Sequence, residues 1–169
     1  VSFSFRQVSW REWSGLAAGL LAFAATFLPW TVLSATNSET AGDLRDAPAS
    51  DLARNAWNST FFGWFPPILL LLAGLVVVVF GQLRKVRSSG LPQLWLVAAA
   101  VALLLVVLGW LFIELQFDDD QREIFKIAGV AINAGFGRYL GILAALGSLV
   151  CAILDTRAAR AERLNPRRR

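Results

Sequence analysis

From Leu94 to Ile113 the chain runs without a single ionisable side chain, and it does the same from Phe65 to Leu83. About 20 helical residues cross a hydrocarbon core of about 30 Å. Runs this long and apolar on every side leave few folds open other than a helix surrounded by lipid or by other helices. Two further runs have the same character. One extends from Ser14 to Leu33; the other ends at Leu154 and starts somewhere between Ile127 and Tyr139. The polar residues fall in blocks between these runs, and only 17% of the chain is charged, against about 25% in soluble domains. The sequence therefore predicts an all-α, four-helix transmembrane bundle. Its spans lie at about 14–33, 64–83, 94–113 and 134–154, its outer loops at about 34–63 and 114–133, and its basic tail at 155–169.

Loop charge sets the expected orientation. Eleven of the sixteen basic residues lie in the N-terminal segment, the link between spans two and three, and the tail; Arg84, Lys85 and Arg87 make up the link. The two other loops carry clustered carboxylates, including Asp118, Asp119 and Asp120. The positive-inside rule then places both termini in the cytoplasm. A signal-peptide reading of residues 16–28, with cleavage after Ala35, competes for the first run. Leu33 fits poorly as the small residue such cleavage needs, and the apolar run continues through it, so a span is preferred.

Arginine dominates the basic residues, with Lys85 and Lys126 the only lysines, and Ala, Gly, Val and Leu are abundant. That usage suits a GC-rich bacterial genome, and an opening Val without any Met fits a literally translated GTG start. The expected location is a bacterial cytoplasmic membrane. The arginines lie at membrane edges rather than in one patch with interleaved aromatics, so nucleic acid is not an expected partner.

Aromatics and prolines mark the expected span ends. Trp30, Trp57, Trp64 and Trp110 are read as an outer interfacial belt, with Trp10, Trp13 and Trp95 at inner edges. Pro66 and Pro67 are placed in the first turn of span two, where missing N–H groups cost nothing. The sequon Asn58-Ser59-Thr60 is expected to stay unused, being close to the membrane in a chain of bacterial composition. Small residues at four-residue spacing, Gly15 and Gly19 in span one and Gly137, Gly141 and Ala145 in span four, predict close helix contact inside the bundle.

Chemistry-bearing residues are sparse. The chain has no histidine and one cysteine, Cys151, in an apolar run. It contains no nucleophile–base pair, metal spacing or phosphate loop, so an enzyme is not expected and no cofactor is implied. Arg138 is the one charge expected inside the outer leaflet. It is expected to pair with Glu114, with snorkelling to the headgroups as the alternative. Asp118–Asp120 read as a solvated acidic turn in preference to a cation site. Arg157, Arg160 and Arg163 fall within two turns after span four and are expected to face anionic lipid headgroups.

The stretch WREWSGLAAGLLAFAATFLPWTVLSAT, residues 10–36, resembles uncharacterised four-span integral membrane proteins of actinobacteria, mycobacterium-like ones in particular. In those an LPW closes the first span ahead of an outer loop. The resemblance implies location and source and carries no activity. The layout is also similar to claudin-like proteins, without their paired loop cysteines. The expected function is an accessory or scaffold subunit of a cell-envelope membrane complex, with a membrane-protein partner or self-association. A lipid or small-molecule transport component is one alternative. A membrane enzyme using the outer carboxylates with Arg122 or Arg138 is the other.

Overall fold

The computed structural model describes residues 8–164 and is mostly helical. Arg6, Arg167, Arg168 and Arg169, which contribute to the expected orientation, lie outside the described residues. The bundle consists of α1 (Trp10–Ala25), α4 (Phe61–Phe80), α6 (Leu91–Leu111) and α8 (Phe136–Leu164). Helix α1 packs against α4 and α8, and α6 packs against the same two, so the four form a ring. Three of them, α4, α6 and α8, are long and apolar enough to cross a membrane. Helix α1 has 16 residues, about 24 Å at 1.5 Å per residue.

Span one differs most from the sequence reading. Its helix starts at Trp10, where a capping box joins Ser9 and Glu12, and it stops at Ala25 rather than Leu33. Pro29 accounts for the stop, because it disfavours helical backbone at the preceding residue and offers no N–H of its own. The apolar residues that follow become a strand, β1 (Thr31–Ala35). β1 is the centre of a three-stranded antiparallel sheet between β2 (Ala53–Arg54) and β3 (Val130–Ala134). Thr31 lies opposite both Arg54 and Ala134, and Ala35 lies opposite Val130. The sheet is absent from the sequence reading; it joins the two polar loops into one cap.

Around the sheet lie α2 (Ser38–Asp46), α3 (Ala49–Leu52) and α7 (Asp119–Ala128). Gly129 ends α7 with φ +69° and lets the chain turn directly into β3. Its carbonyl accepts from both the backbone N–H and the hydroxyl of Thr36, which pins the far end of β1. Thr40 of α2 donates to the carbonyl of Ala128, so α2 and α7 are tied across the cap. At the opposite end of the bundle, α5 (Arg84–Ser88) connects α4 to α6.

The remaining spans shift by a few residues. Helix α4 begins at Phe61, so Pro66 and Pro67 lie inside it rather than in its first turn. They deny donors to the carbonyls of Phe62 and Gly63 and are themselves buried. Helix α8 begins after β3 at Phe136 and continues ten residues past Leu154, carrying the first part of the basic tail as helix.

The core is built of alanine and two tryptophans. Ala22, Ala99, Ala102, Ala144, Ala145 and Ala152 are buried together with Leu70, Val77 and Trp95. Small side chains bring the backbones close, so the helices gain dispersion contacts along their length. A Cβ on Gly19 would lie 2.8 Å from the Leu70 carbonyl oxygen, and one on Gly15 would lie 2.2 Å from the Trp95 ring. Trp95 is thus a buried plug held by Nε1–H donation to Ser148 Oγ at 3.2 Å, not an inner interfacial residue.

Candidate functional site

Two polar knots fix the ends of the bundle. The first forms where β1, α6 and α8 meet. Arg138, two residues into α8, is only 3% exposed. Its Nε donates to the Trp30 carbonyl at 3.1 Å, one terminal nitrogen donates to the Gly109 carbonyl, and the other reaches Thr31 Oγ1 at 3.4 Å. Thr31 Oγ1 is bonded in turn to the side-chain amide of Gln116.

This arrangement corrects the expected Arg138–Glu114 pair. No ion pair involves Arg138 among the described residues. Glu114 is exposed on the short 3-10 turn that follows α6. Nor does Arg138 snorkel. The last-turn carbonyls of a helix lack intrahelical donors and carry the negative end of its dipole. Gly109 supplies such a carbonyl, and the guanidinium lies 5.6 Å from the centroid of the Trp30 ring. Carbonyl dipoles and a π face do the work assigned to a carboxylate in the sequence reading.

Trp30 is likewise no belt residue. It is 1% exposed, and its Nε1–H donates to the Ala25 carbonyl at the end of α1, 2.7 Å away. Gly137 and Gly141 make its socket: a Cβ on either would come within 3.0 Å of the indole. Backbone bonds complete the knot, from Trp30 N–H to the Arg54 carbonyl at 2.7 Å and from Gly135 N–H to the Trp30 carbonyl at 3.0 Å. Arg54 also donates to the Gln116 carbonyl at 3.0 Å and lies 4.2 Å from the Phe117 ring centroid. Trp57 and Trp110 are exposed, while Trp64 is half-buried and stacked edge-on to Phe61 and Phe65.

The second knot lies at the opposite end and is missing from the sequence reading. Asp155 of α8 accepts from Arg11 of α1 at 3.3 Å and from Arg87 of α5 at 3.1 Å. Arg87 also lies 3.5 Å from Glu12. Both carboxylates are nearly fully buried. Two arginines and two acids from three helices therefore close this end as a neutral cluster. The available signals are local: Ser9-x-x-Glu12 has the spacing of a capping box, and Asp155 heads the arginine-rich tail, which also holds Glu162. Neither announces their convergence across more than 140 residues.

The acidic run Asp118–Asp120 behaves locally. Asp118 precedes α7, its N–H donating to Gln121 Oε1 at 3.3 Å, and Asp119 pairs with Arg122 one turn later. Carboxylates at a helix start complement its dipole. They do not converge with Arg138, and no group of three or more metal-ligating side chains occurs among the described residues. Helix α7 leaves Ile124 and Ile127 exposed, the latter at 81%. Arg157 and Arg160 are exposed on α8, and Arg163 donates to the Ser88 carbonyl at 2.7 Å. Compared with protein-family models, curated proteins and solved structures, the chain matches none.

Proposed function

We propose that the protein is a non-catalytic, multi-pass subunit of a bacterial cytoplasmic membrane, whose extracytoplasmic cap docks a partner protein of the cell envelope. All four bundle helices cross the bilayer in this reading, and both termini are cytoplasmic. The short α1 is completed by the Thr26–Trp30 turn, which leads into β1 of the cap. Loop charge and the resemblance of residues 10–36 to actinobacterial membrane proteins support the placement.

One observation carries the docking role. The cap is a sheet fixed to three bundle helices by Arg138 and Trp30, yet its helix α7 turns Ile124 and Ile127 outward, 60% and 81% exposed. Two large aliphatic side chains one turn apart on a rigid polar cap form an apolar anchor with a charged rim, the anatomy of a small protein interface.

The test compares tagged wild type with the Ile124→Ser/Ile127→Ser double variant after gentle solubilisation. The wild type is expected in a particle larger than one chain, with a partner at fixed stoichiometry. The variant is expected to lose that partner while staying monodisperse. A single-chain wild-type particle, or a partner retained by the variant, would contradict the docking role.

A further inference from the structure

An apolar groove of about 240 Å³ opens between α4 and α6 on the outside of the bundle. It exists because Ala73 and Ala98 face each other where their neighbours are large; Leu72 and Leu94 form its rims, and Trp95 and Val77 line its depth. The Trp95–Ser148 hydrogen bond fixes that lining from behind. Water would find no polar partner in it. A flexible hydrocarbon chain fits it, gaining dispersion contacts along its length.

The groove has a charged end. Val77 lies three residues before α4 stops, and Leu91 is the first residue of α6, so the groove runs out at the connection that carries α5. Arg87 in that connection is engaged by Glu12 and Asp155. Lys85 is exposed, and its hydrogen bonds with Ser88 and Ser89 involve only its backbone carbonyl. Arg163 reaches the same connection through the Ser88 carbonyl, bringing the tail's charge with it, which Glu162 beside it partly offsets.

We infer that this groove is a site for one anionic phospholipid, an acyl chain lying along Trp95 and the phosphate set against Lys85 and Arg163. The inference rests on the membrane placement proposed above and is independent of the docking role of α7.

Native mass spectrometry of the full chain, solubilised with equal amounts of phosphatidylglycerol and phosphatidylcholine of matched chains, tests it. The wild type should retain one phosphatidylglycerol in preference. Lys85→Gln and Arg163→Gln, both at exposed positions, should each reduce that preference by about fivefold. Ala98→Leu should displace the lipid, while Ala100→Leu, the same added volume at an exposed position, should not. Equal retention of the two lipids would overturn the site, as would a preference unchanged by both charge variants. So would retention that Ala98→Leu leaves intact. The partner assay with the α7 variant reads separately, so either proposal can fail alone.

Discussion

Arg138 on α8 caps the carbonyl of Gly109 in the last turn of α6, and the same guanidinium holds the Trp30 carbonyl at the head of β1. One side chain thus joins two bundle helices to the sheet and fixes how the cap sits on the bundle. Arginine suits the position because its planar fork reaches several acceptors at once, which an ammonium group cannot.

Arg138→Ala is expected to lower stability by about 2 kcal/mol or more, since it strands the buried Gly109 carbonyl, at about 1–3 kcal/mol when unpaired, and leaves the Trp30 carbonyl with only the Gly135 N–H. Arg138→Lys should recover only part of this. Glu114→Gln, at an exposed site, should stay within about 0.5 kcal/mol of wild type. Thermal unfolding in one detergent ranks the three. Equal losses for Arg138→Ala and Glu114→Gln would restore the ion pair expected from the sequence.

Trp30 and Trp57 should respond oppositely to conservative change. Trp30→Phe removes the donor to Ala25 and leaves a gap against Gly137 and Gly141, so a loss of about 2 kcal/mol or more is expected. Trp57→Phe keeps an aromatic at an exposed position and should change stability little. Unfolding midpoints of the two variants decide between plug and belt.

Gly15 on α1 and Gly147 on α8 separate by what they touch. Gly15→Ala drives a methyl into the Trp95 ring and should cost about 1–3 kcal/mol. Gly147→Ala meets nothing closer than the Ala18 Cβ at 4.0 Å and should be neutral or stabilising by up to about 1 kcal/mol. Both are read by unfolding under identical conditions.

At the basic end, Asp155→Asn should be far more costly than Asp119→Asn. The first removes the carboxylate shared by Arg11 and Arg87, a change worth about 3–5 kcal/mol for a buried pair. The second breaks an exposed pair worth about 0–1 kcal/mol. Loss of the α1–α5–α8 cluster should also speed proteolysis in the α4–α6 connection, which limited digestion would show.

The uncharged runs made α4 and α6 legible to within a few residues, because absence of charge over such a length has few structural meanings. The end of α1 had one local signal, Pro29, and the strand after it had none. Thr31–Leu33 continue the same apolar run, and nothing local tells a span continued past a proline from a strand buried under a cap. The roles of Trp30 and Trp95 were hidden for a related reason: a tryptophan near a span end suits a wet interface and a glycine-lined socket equally well. The glycines of the Trp30 socket, Gly137 and Gly141, were visible as a small-residue stripe, but their partner ring lies more than 100 residues away. Asp155 with Arg11 and Arg138 with Gly109 are long-range pairs with no local signature.

The measurement that bears most directly on the whole account is cysteine labelling in intact cells with a membrane-impermeant maleimide, in a Cys151→Ser background. Asn58→Cys and Ile127→Cys are expected to label before lysis, and Lys85→Cys and Arg160→Cys only after it. Labelling of Lys85→Cys in intact cells, with Ile127→Cys protected, would turn the cap toward the cytoplasm and contradict the account.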